Sequence, residues 1–361
     1  MDSIEELFRN SDISKKMGEI LRSYKGKQVT LMEVCGTHTM AIHKYGIKNL
    51  LPSSVKLVSG PGCPICVTPG SFVRTAITLS RDEDVIITTF GDMIRVPCDG
   101  ESLLDEKSKG SDIRIVYSPL ESIKIAQQEK NKRVVFLSIG FETTTPVCAL
   151  TVLKADELRL KNFSMLTANK TIPDVMEILS ADENLGIDGF IYPGHVSAIT
   201  GNSLYRKIAQ NCRIPGVVAG FEPMDILHAI ITLIRMINKN EADVINEYSR
   251  IVKEDGNQIA RNIVNEVFEE SDSVWRGLGN IPNSGMKLRQ KYTKYDAHEI
   301  FDVKDVDIDE PAGCLCGDVL KGIKIPPDCL LFGRTCTPGS PVGACMVSSE
   351  GTCSAYYKYG Q

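Results

Sequence analysis

The sequence predicts an α/β protein with two Rossmann-like parallel-sheet domains, followed by a cysteine-rich C-terminal domain. Short β-rich segments alternate with helical segments up to about residue 240, and several of them, such as Val134–Leu137, are apolar throughout. Apolar strands are typical of sheets covered on both faces, and the alternation indicates parallel strands joined by right-handed crossovers. Six of the twelve cysteines lie between Cys314 and Cys353, in a tail rich in glycine and proline.

Eight strands are predicted before the first long helical region. They are Gln28–Val34, Val55–Ser59, Asp84–Phe90, Ile113–Tyr117, Arg133–Ile139, Phe163–Thr167, Gly189–Tyr192 and Gly216–Ala219. The helical segments among them are Ser71–Leu79, Leu120–Glu129, Pro146–Leu158, Pro173–Leu179 and Ser197–Gln210. Eight strands suit two Rossmann-like units, although a TIM barrel would use the same number.

The rest of the chain is predicted to be a helical region, a mixed segment and the tail. Apolar residues recur with a helical period from Pro223 to about Glu270, and Asp272–Asp309 is mixed. We expect one α/β domain at residues 1–125, a second at 126–240, and a helical connection with the C-terminal domain at 241–361. The tail from Glu310 can bury little apolar surface unaided, so we expect a metal to stabilise it.

Composition argues against several classes of function. The 361 residues carry a net charge of −5, whereas nucleic-acid binders usually carry a basic surface. The longest apolar stretch, Ile226–Ile237, contains His228 and Arg235 and is too short to span a bilayer. The N-terminus lacks the basic start and apolar run of a signal peptide. We therefore expect a soluble cytoplasmic protein without nucleic-acid or membrane partners.

Cys35 follows the first predicted strand and should lie at the N-terminus of a helix. The helix dipole at that position favours a thiolate over a thiol. His38 would lie on the same face of the helix and could share the proton of Cys35. The pair therefore suggests a nucleophile or a metal ligand, and the alternative is a buried cysteine at the end of a strand.

Cys63-Pro-Ile-Cys66 is a C-x-x-C motif that follows the second predicted strand. This spacing can close a small disulfide or form half of a zinc site. The sequence has no second C-x-x-C, so a four-cysteine zinc ribbon is not expected, and the radical-SAM pattern is missing because residue 59 is Ser. Redox use or metal binding is therefore favoured over a purely structural role.

The loop Gly140–Thr145 follows a strand that is predicted to be buried. Glu142 could accept a proton or hold a cation, while the threonines could cap the helix that Pro146 begins. Gly-Phe-Glu recurs at Gly220–Glu222, and His195 follows another strand, although a lone histidine is more often structural. Ligands of open α/β sheets bind at the carboxyl ends of strands, so we expect these loops to converge on one cleft. The phosphate-binding patterns G-x-x-x-x-G-K-[ST] and G-x-G-x-x-G are absent.

The cysteines of the tail have the composition of a metal site. They are Cys314, Cys316, Cys329, Cys336, Cys345 and Cys353. Four thiolates would hold a [4Fe–4S] cluster, and zinc would accept the same ligands. Composition does not separate these two alternatives. The two spare cysteines could form a redox pair beside a cluster or have no role.

Several of these segments resemble the HypD family of [NiFe]-hydrogenase maturation proteins, in order from about Glu33 to the C-terminus. The matching segments are Glu33–His38, Ser59–Pro69, Ile139–Thr144, Thr335–Pro338 and Met346–Cys353. The resemblance implies two α/β domains and a C-terminal iron–sulfur domain. It also implies a scaffold for building the Fe(CN)2(CO) group of the hydrogenase with the chaperone HypC, cyanide coming from HypE. The hydrogenase large subunit would be an indirect partner.

The resemblance also implies roles for individual residues. Cys35 would bind the Fe(II) that carries CN and CO, with His38 and Glu142 in the same cleft, and Cys63 and Cys66 would be redox-active thiols. The [4Fe–4S] ligands would be Cys316, Cys329, Cys336 and Cys353. Cys314 remains an alternative to Cys316, and Cys345 is left out because leucine also occupies that position in the family pattern.

The chemistry suits these residues, because a thiolate is a good ligand for soft, low-spin Fe(II). We hypothesise that Cys63 and Cys66 relay electrons from the cluster to the iron. One alternative is a thiol–disulfide oxidoreductase resembling ferredoxin–thioredoxin reductase, which would not need Cys35. Another is a zinc-stabilised binding scaffold without a redox role.

Overall fold

Two parallel β-sheets and one antiparallel hairpin form the framework of the computed structural model, which describes residues 11–182, 185–303 and 308–360. The strands are β1 (Val29–Glu33), β2 (Val55–Ser59), β3 (Val85–Thr89), β4 (Ile113–Ile115), β5 (Arg133–Gly140), β6 (Phe163–Asn169), β7 (Gly189–Pro193), β8 (Gly216–Ala219), β9 (Val244–Asn246), β10 (Phe268–Trp275) and β11 (Gly279–Leu288).

Helices connect and cover these strands. The α-helices are α1 (Ser11–Arg22), α2 (Gly36–Lys44), α3 (Pro64–Val67), α4 (Gly70–Ser80), α5 (Leu103–Ser108), α6 (Pro119–Gln128), α7 (Thr145–Glu157), α8 (Ile172–Ala181), α9 (Gly194–Thr200), α10 (Ser203–Cys212), α11 (Pro223–Lys239), α12 (Gln258–Val267), α13 (Ala297–Ile300), α14 (Cys316–Leu320) and α15 (Thr352–Tyr359). Short 3₁₀ helices lie at Ile47–Leu50, Gly91–Arg95, Gln290–Tyr295, Pro326–Asp328 and Ala344–Met346.

The two parallel sheets are not built from consecutive halves of the chain. The first has the order β2-β1-β7-β8-β9 and the second the order β4-β3-β5-β6. The chain leaves the first sheet after β2, builds the second completely, and returns at β7, which pairs with β1 through Leu31 and Gly189. Strands on both sides of residue 125 therefore share the second sheet. Two separate sheets also rule out the eight-stranded barrel that the strand count allowed.

All eight predicted strands are present, within two residues of their predicted ends. The predicted helix Ser197–Gln210 is divided at Gly201, whose φ of 77° is unfavourable for a residue with a Cβ. The short strand β9 lies in a region predicted to be helical, and the hairpin β10–β11 occupies part of a region with no clear pattern. The middle of β10 is mostly polar, and only its ends, Phe268 and Trp275, are buried. The strand therefore lacks the alternating apolar pattern from which a strand is predicted.

Apolar helix faces cover the first sheet and form its core. In α11, Ile226, Ile230, Leu233 and Ile237 recur with helical spacing and are buried against the sheet, as the sequence predicted. Burying each such side chain contributes about 1.5–3 kcal/mol. Within the described ranges, none of the helices combines the length and apolar character needed to cross a membrane.

The C-terminal segment packs against the beginning of the first sheet. Helix α15 contacts α2, and the Lys48 ammonium donates to the hydroxyl of Tyr356 over 2.7 Å. The 3₁₀ helix Ala344–Met346 contacts α3, which begins directly after Cys63. The cysteine-rich tail is thereby held beside the loops that follow β1 and β2.

Candidate functional site

Four loops meet at the carboxyl ends of neighbouring strands in the first sheet. They follow β1, β2, β7 and β8, which are adjacent in the order β2-β1-β7-β8. The loops carry Cys35, the Cys63–Cys66 pair, His195 and Phe221. Open α/β sheets bind their ligands at this edge, so we take this cluster as the candidate functional site.

Cys35 lies between β1 and α2, as the sequence predicted, and it is 3% exposed. Burial raises the pKa of its thiol above the ordinary value, and nearby Glu350 and Glu33 add to the effect, outweighing the N–H groups of His38 and Thr37. The expected stabilisation of the thiolate by the helix is therefore overcome. A buried neutral thiol becomes a thiolate when it coordinates a metal cation, so this environment suits a metal ligand better than a free nucleophile.

His195 is the imidazole that faces Cys35. Its Nε2 atom lies 3.8 Å from the Cys35 Sγ atom. Burial lowers the pKa of His195 to about 4, so its imidazole is neutral. Its ring stacks on Phe221 with 4.9 Å between centroids, which fixes the ring plane. The sequence suggested a structural histidine here, because the contact with Cys35 joins positions far apart in the chain.

His38 takes a different position from the one expected. Its Nε2 atom lies 2.8 Å from the carbonyl oxygen of Gly220, so this nitrogen carries the proton and donates it. Burial lowers the pKa of His38 to about 4, and its Nδ1 atom is buried without a partner among the described residues. Its ring also packs on Phe221, at 4.7 Å. His38 therefore holds the Phe221 loop, while His195 takes the place beside Cys35 that was predicted for His38.

Two carboxyl groups, those of Glu33 and Glu350, lie close to Cys35 and the start of α2. Glu33 accepts hydrogen bonds from the Cys35 N–H at 3.1 Å and from the Thr39 hydroxyl at 2.5 Å. Burial raises the pKa of Glu33 to about 7. The Thr37 hydroxyl donates to Glu350 over 2.7 Å, so the C-terminal segment closes over the start of α2. Glu350 belongs to the segment Met346–Cys353, but nothing in its local pattern predicted this contact.

Cys63 and Cys66 form a disulfide beside Cys35. The loop that carries them is fixed to β1 and α2, because the Gly36 N–H donates to the carbonyl of Gly62 over 3.0 Å. A side chain at Gly62 would collide with the backbone of Cys35, so only glycine allows this close approach. Both sulfurs of this disulfide are buried.

All six cysteines of the tail line one small pocket. The Sγ atoms of Cys316 and Cys345 lie 2.6 Å apart, and the remaining walls are apolar, including Leu331 and Phe332. The cavity measures about 10 Å³, which leaves room for about one water molecule. Among the described residues, no group of three His, Cys, Asp or Glu side chains has metal-site geometry. The donors fit a thiophilic metal centre, which would need the sulfurs to move apart.

Arg276 is a buried cation beside helix α3, and its Nη1 atom pairs with Glu310 over 3.5 Å. Its N–H and Nε donate to the carbonyls of Val67 and Thr68, at 2.9 and 2.8 Å. Contacts with neighbouring thiols, together with the charge of Arg276, hold the pKa of Cys316 below its ordinary value. The Arg276 Nη2 atom is buried without a partner in the described part of the chain. An unpaired guanidinium nitrogen near a thiol pocket suits a negatively charged metal–thiolate group.

The structure does not bring Glu142 to the Cys35 loops. Glu142 follows β5 in the second sheet, where its Oε1 atom accepts the Ile172 N–H over 2.9 Å. It lines a cavity whose walls include no residue of the Cys35 site. We expected one cleft because we assumed that all these loops follow strands of one sheet. In the structure, β5 and β1 belong to different sheets.

Comparisons with known proteins cover nearly the whole chain. Residues 11–360 match the family model named HypD and described as "Hydrogenase formation hypA family". The chain is 44% identical over 364 residues to the hydrogenase maturation factor HypD2 of Bradyrhizobium diazoefficiens, covering 98% of this chain and 96% of the relative. It is 42% identical over 371 residues to the hydrogenase maturation factor HypD of Cupriavidus necator, covering 100% and 98%. The chain therefore belongs to the HypD family of hydrogenase maturation factors.

Proposed function

We propose that this maturation factor is the scaffold on which the Fe(CN)2(CO) group is assembled, with Cys35 binding the iron. The observation that carries the proposal is the position of the Cys35 thiol, 3.8 Å from His195 and beside the Cys63–Cys66 disulfide. In this proposal a metal ligand, a proton acceptor and a two-electron redox pair lie at one edge of the first sheet. The small chaperone HypC and the cyanide donor HypE are the partners we propose.

Iron loading requires Cys35 to lose its proton. Fe(II) binds the sulfur as the S–H bond breaks, and the His195 Nε2 atom, 3.8 Å from that sulfur, would accept the proton. Thiolate and cyanide ligands both suit low-spin iron, so one protein sulfur can hold the metal while other positions stay open. Reduction of the Cys63–Cys66 disulfide to the dithiol takes up two electrons and two protons, and the proposed cluster of the tail would donate the electrons in two one-electron steps.

Replacing His195 by alanine is expected to slow iron loading of Cys35 by about 100-fold, as loss of a proton acceptor commonly does. The measurement is the rate at which anaerobic protein takes up Fe(II). His228→Ala is the matched control, because His228 is exposed and pairs with Glu247 away from this site. Equal loading rates in the two variants would contradict the assigned role.

Cys316, Cys329, Cys336 and Cys353 are the proposed ligands of a [4Fe–4S] cluster, which would supply one-electron chemistry when bound. Arg276 lies beside helix α3, and its unpaired Nη2 atom is available to that group. The buried charge of Arg276 would favour the more negative, reduced form of the cluster. Arg276 is therefore a positioning residue that also tunes the potential.

Substituting Arg276 with methionine is expected to make the reduction potential of the cluster more negative by on the order of 60 mV, a tenfold change for a one-electron couple. Arg334→Met is the control, because Arg334 lies in the same tail and is exposed. A redox titration followed by the visible absorption of the cluster measures both. The role of Arg276 is contradicted if the two potentials agree with that of the wild type.

The Cys63–Cys66 disulfide raises a second candidate function, that of a thiol–disulfide oxidoreductase. Its two sulfurs are buried, at 4% and 0% exposure of Cys63 and Cys66, whereas exchange with a protein substrate needs access to the attacked sulfur. Such an enzyme would also have no use for Cys35. The geometry therefore favours the scaffold.

Complementation combined with metal analysis tests the proposed function. Cells that lack their own copy of this factor should regain active hydrogenase when they express this chain. The anaerobically purified protein should contain about four irons and four sulfides plus additional iron. Zinc without sulfide would contradict the cluster, and a cluster without additional iron, from cells containing the maturation partners, would favour the oxidoreductase.

A further inference from the structure

A second cavity lies at the carboxyl edge of the second sheet, separate from the Cys35 site. It measures about 220 Å³ and is formed by the loops after β5 and β6 together with helices α9, α10 and α12. Its polar lining includes Glu142, Thr145, Thr171, Asp174, Arg261 and Glu270. Ligands of parallel sheets bind at such edges, and the proposed assembly of iron at Cys35 makes no use of this one.

Glu142 forms the buried floor of the cavity and has one carboxyl oxygen without a partner. Its Oε1 atom accepts the Ile172 N–H, whereas Oε2 has no partner among the described residues, and the residue is 9% exposed. Leaving a buried polar atom unsatisfied costs roughly 1–3 kcal/mol. A ligand that donates a hydrogen bond to Oε2 would recover that free energy.

The charge of the lining favours a cation. Glu270 is exposed at the rim, Asp174 is half-buried, and Glu142 lies on the floor. In the ranges that the structure describes, none of these three carboxyl groups pairs with a lysine or arginine. The guanidinium of Arg261 donates instead to the carbonyl of Asp255, over 3.4 Å. The cavity therefore presents three acidic groups against one base.

The carboxyl groups also affect one another. Burial, with the charge of Asp174, raises the pKa of Glu142 to about 7. Burial likewise raises the pKa of Asp174, and the charge of Glu270 adds to it. A cation placed among the three groups would relieve this repulsion.

We propose that this cavity binds a small organic cation, whose amine or guanidinium donates to Glu142 and Asp174. A bare metal ion is disfavoured, because it would fill little of the cavity of about 220 Å³ and would leave the apolar part of its wall without a partner. An anion is also disfavoured, because Glu142 already occupies the Ile172 N–H at the start of α8. Ile199, Leu204 and Met286 offer an apolar wall for a short carbon chain.

Calorimetric titration of the full-length protein with agmatine, a butyl chain with one amine and one guanidinium, tests the proposal. Agmatine is expected to bind the wild type and to bind Glu142→Gln and Asp174→Asn at least tenfold more weakly. The side-chain oxygen of glutamine can still accept the Ile172 N–H, so the hydrogen bond at the start of α8 is kept. Glu177→Gln is the matched control, since it removes an exposed charge that acts on Asp174 from the same helix but does not line the cavity.

The outcomes are distinct, and none depends on hydrogenase activity. Loss of binding in the two cavity variants, with wild-type affinity in Glu177→Gln, supports the site. If Glu142→Gln does not fold, Asp174→Asn alone decides. The proposal is overturned if agmatine does not bind, if it binds all four proteins equally, or if inorganic phosphate binds in its place.

Discussion

Replacing Cys35 by alanine is expected to reduce hydrogenase maturation more than about 100-fold. Changing a residue that only supports a metal ligand typically costs about 10–100-fold in activity, so loss of the ligand itself should cost more. Cys35 is the one free thiol among the four loops of the candidate site, since Cys63 and Cys66 are joined to each other. No other described sulfur of these loops can replace it as the iron ligand. Serine at this position should also fail, because a hydroxyl is a poor match for soft iron.

Cys148→Ala separates this loss from a simple loss of stability. Cys148 is also a buried thiol, but it lies in the core of the second sheet, remote from the four loops. Both alanine variants should lose about 0.5–3 kcal/mol in free energy of unfolding, and only Cys35→Ala should lose its additional iron. If Cys35→Ala retained that iron, or if Cys148→Ala lost maturation equally, Cys35 would not be the ligand.

The double substitution Cys63→Ser with Cys66→Ser is expected to abolish maturation to a similar extent. The two sulfurs act as one redox pair, so either single substitution should cost about as much as both together. Loss of the disulfide itself should lower the free energy of unfolding by only about 2 kcal/mol, because it closes a very short loop. Maturation by single and double variants in cells, alongside denaturant unfolding, measures both effects.

Cys98→Ser provides the matched control for these substitutions. Cys98 is buried in the same apolar cluster as Cys63 and Cys66, and its thiol donates to the carbonyl of Gly70, which a serine hydroxyl can do as well. This variant should mature hydrogenase normally. Iron loading and cyanide acceptance that survive in the double variant would show that the Cys63–Cys66 pair has no redox role.

The sequence was sufficient to predict the elements that carry their own local pattern. Apolar strands such as β5 and the helical period of α11 were predictable, because burial imposes a period that a short window reveals. The position of Cys35 between a strand and a helix followed for the same reason. The pairing of β1 with β7 depends on contacts between distant segments, so the sequence order of the strands could not reveal it.

The candidate site was only partly predictable for the same physical reason. Cys35 and the Cys63–Cys66 pair stand in local motifs, whereas the contact of Cys35 with His195 is set by the adjacency of β1 and β7. The helix dipole at Cys35 was predicted correctly, but its effect on the thiol is outweighed by burial, which depends on the whole fold. Glu142 follows a strand of the other sheet and lines a separate cavity there, so its role at the Cys35 site stays a prediction.

The infrared spectrum of anaerobic protein, purified from cells that contain the maturation partners, tests the central claim most directly. Bound cyanide and carbon monoxide absorb in a region where protein groups do not. The account predicts bands of both ligands in the wild type and their absence in Cys35→Ala. A wild-type spectrum without those bands, or bands that persist in Cys35→Ala, would contradict assembly of the iron group on Cys35.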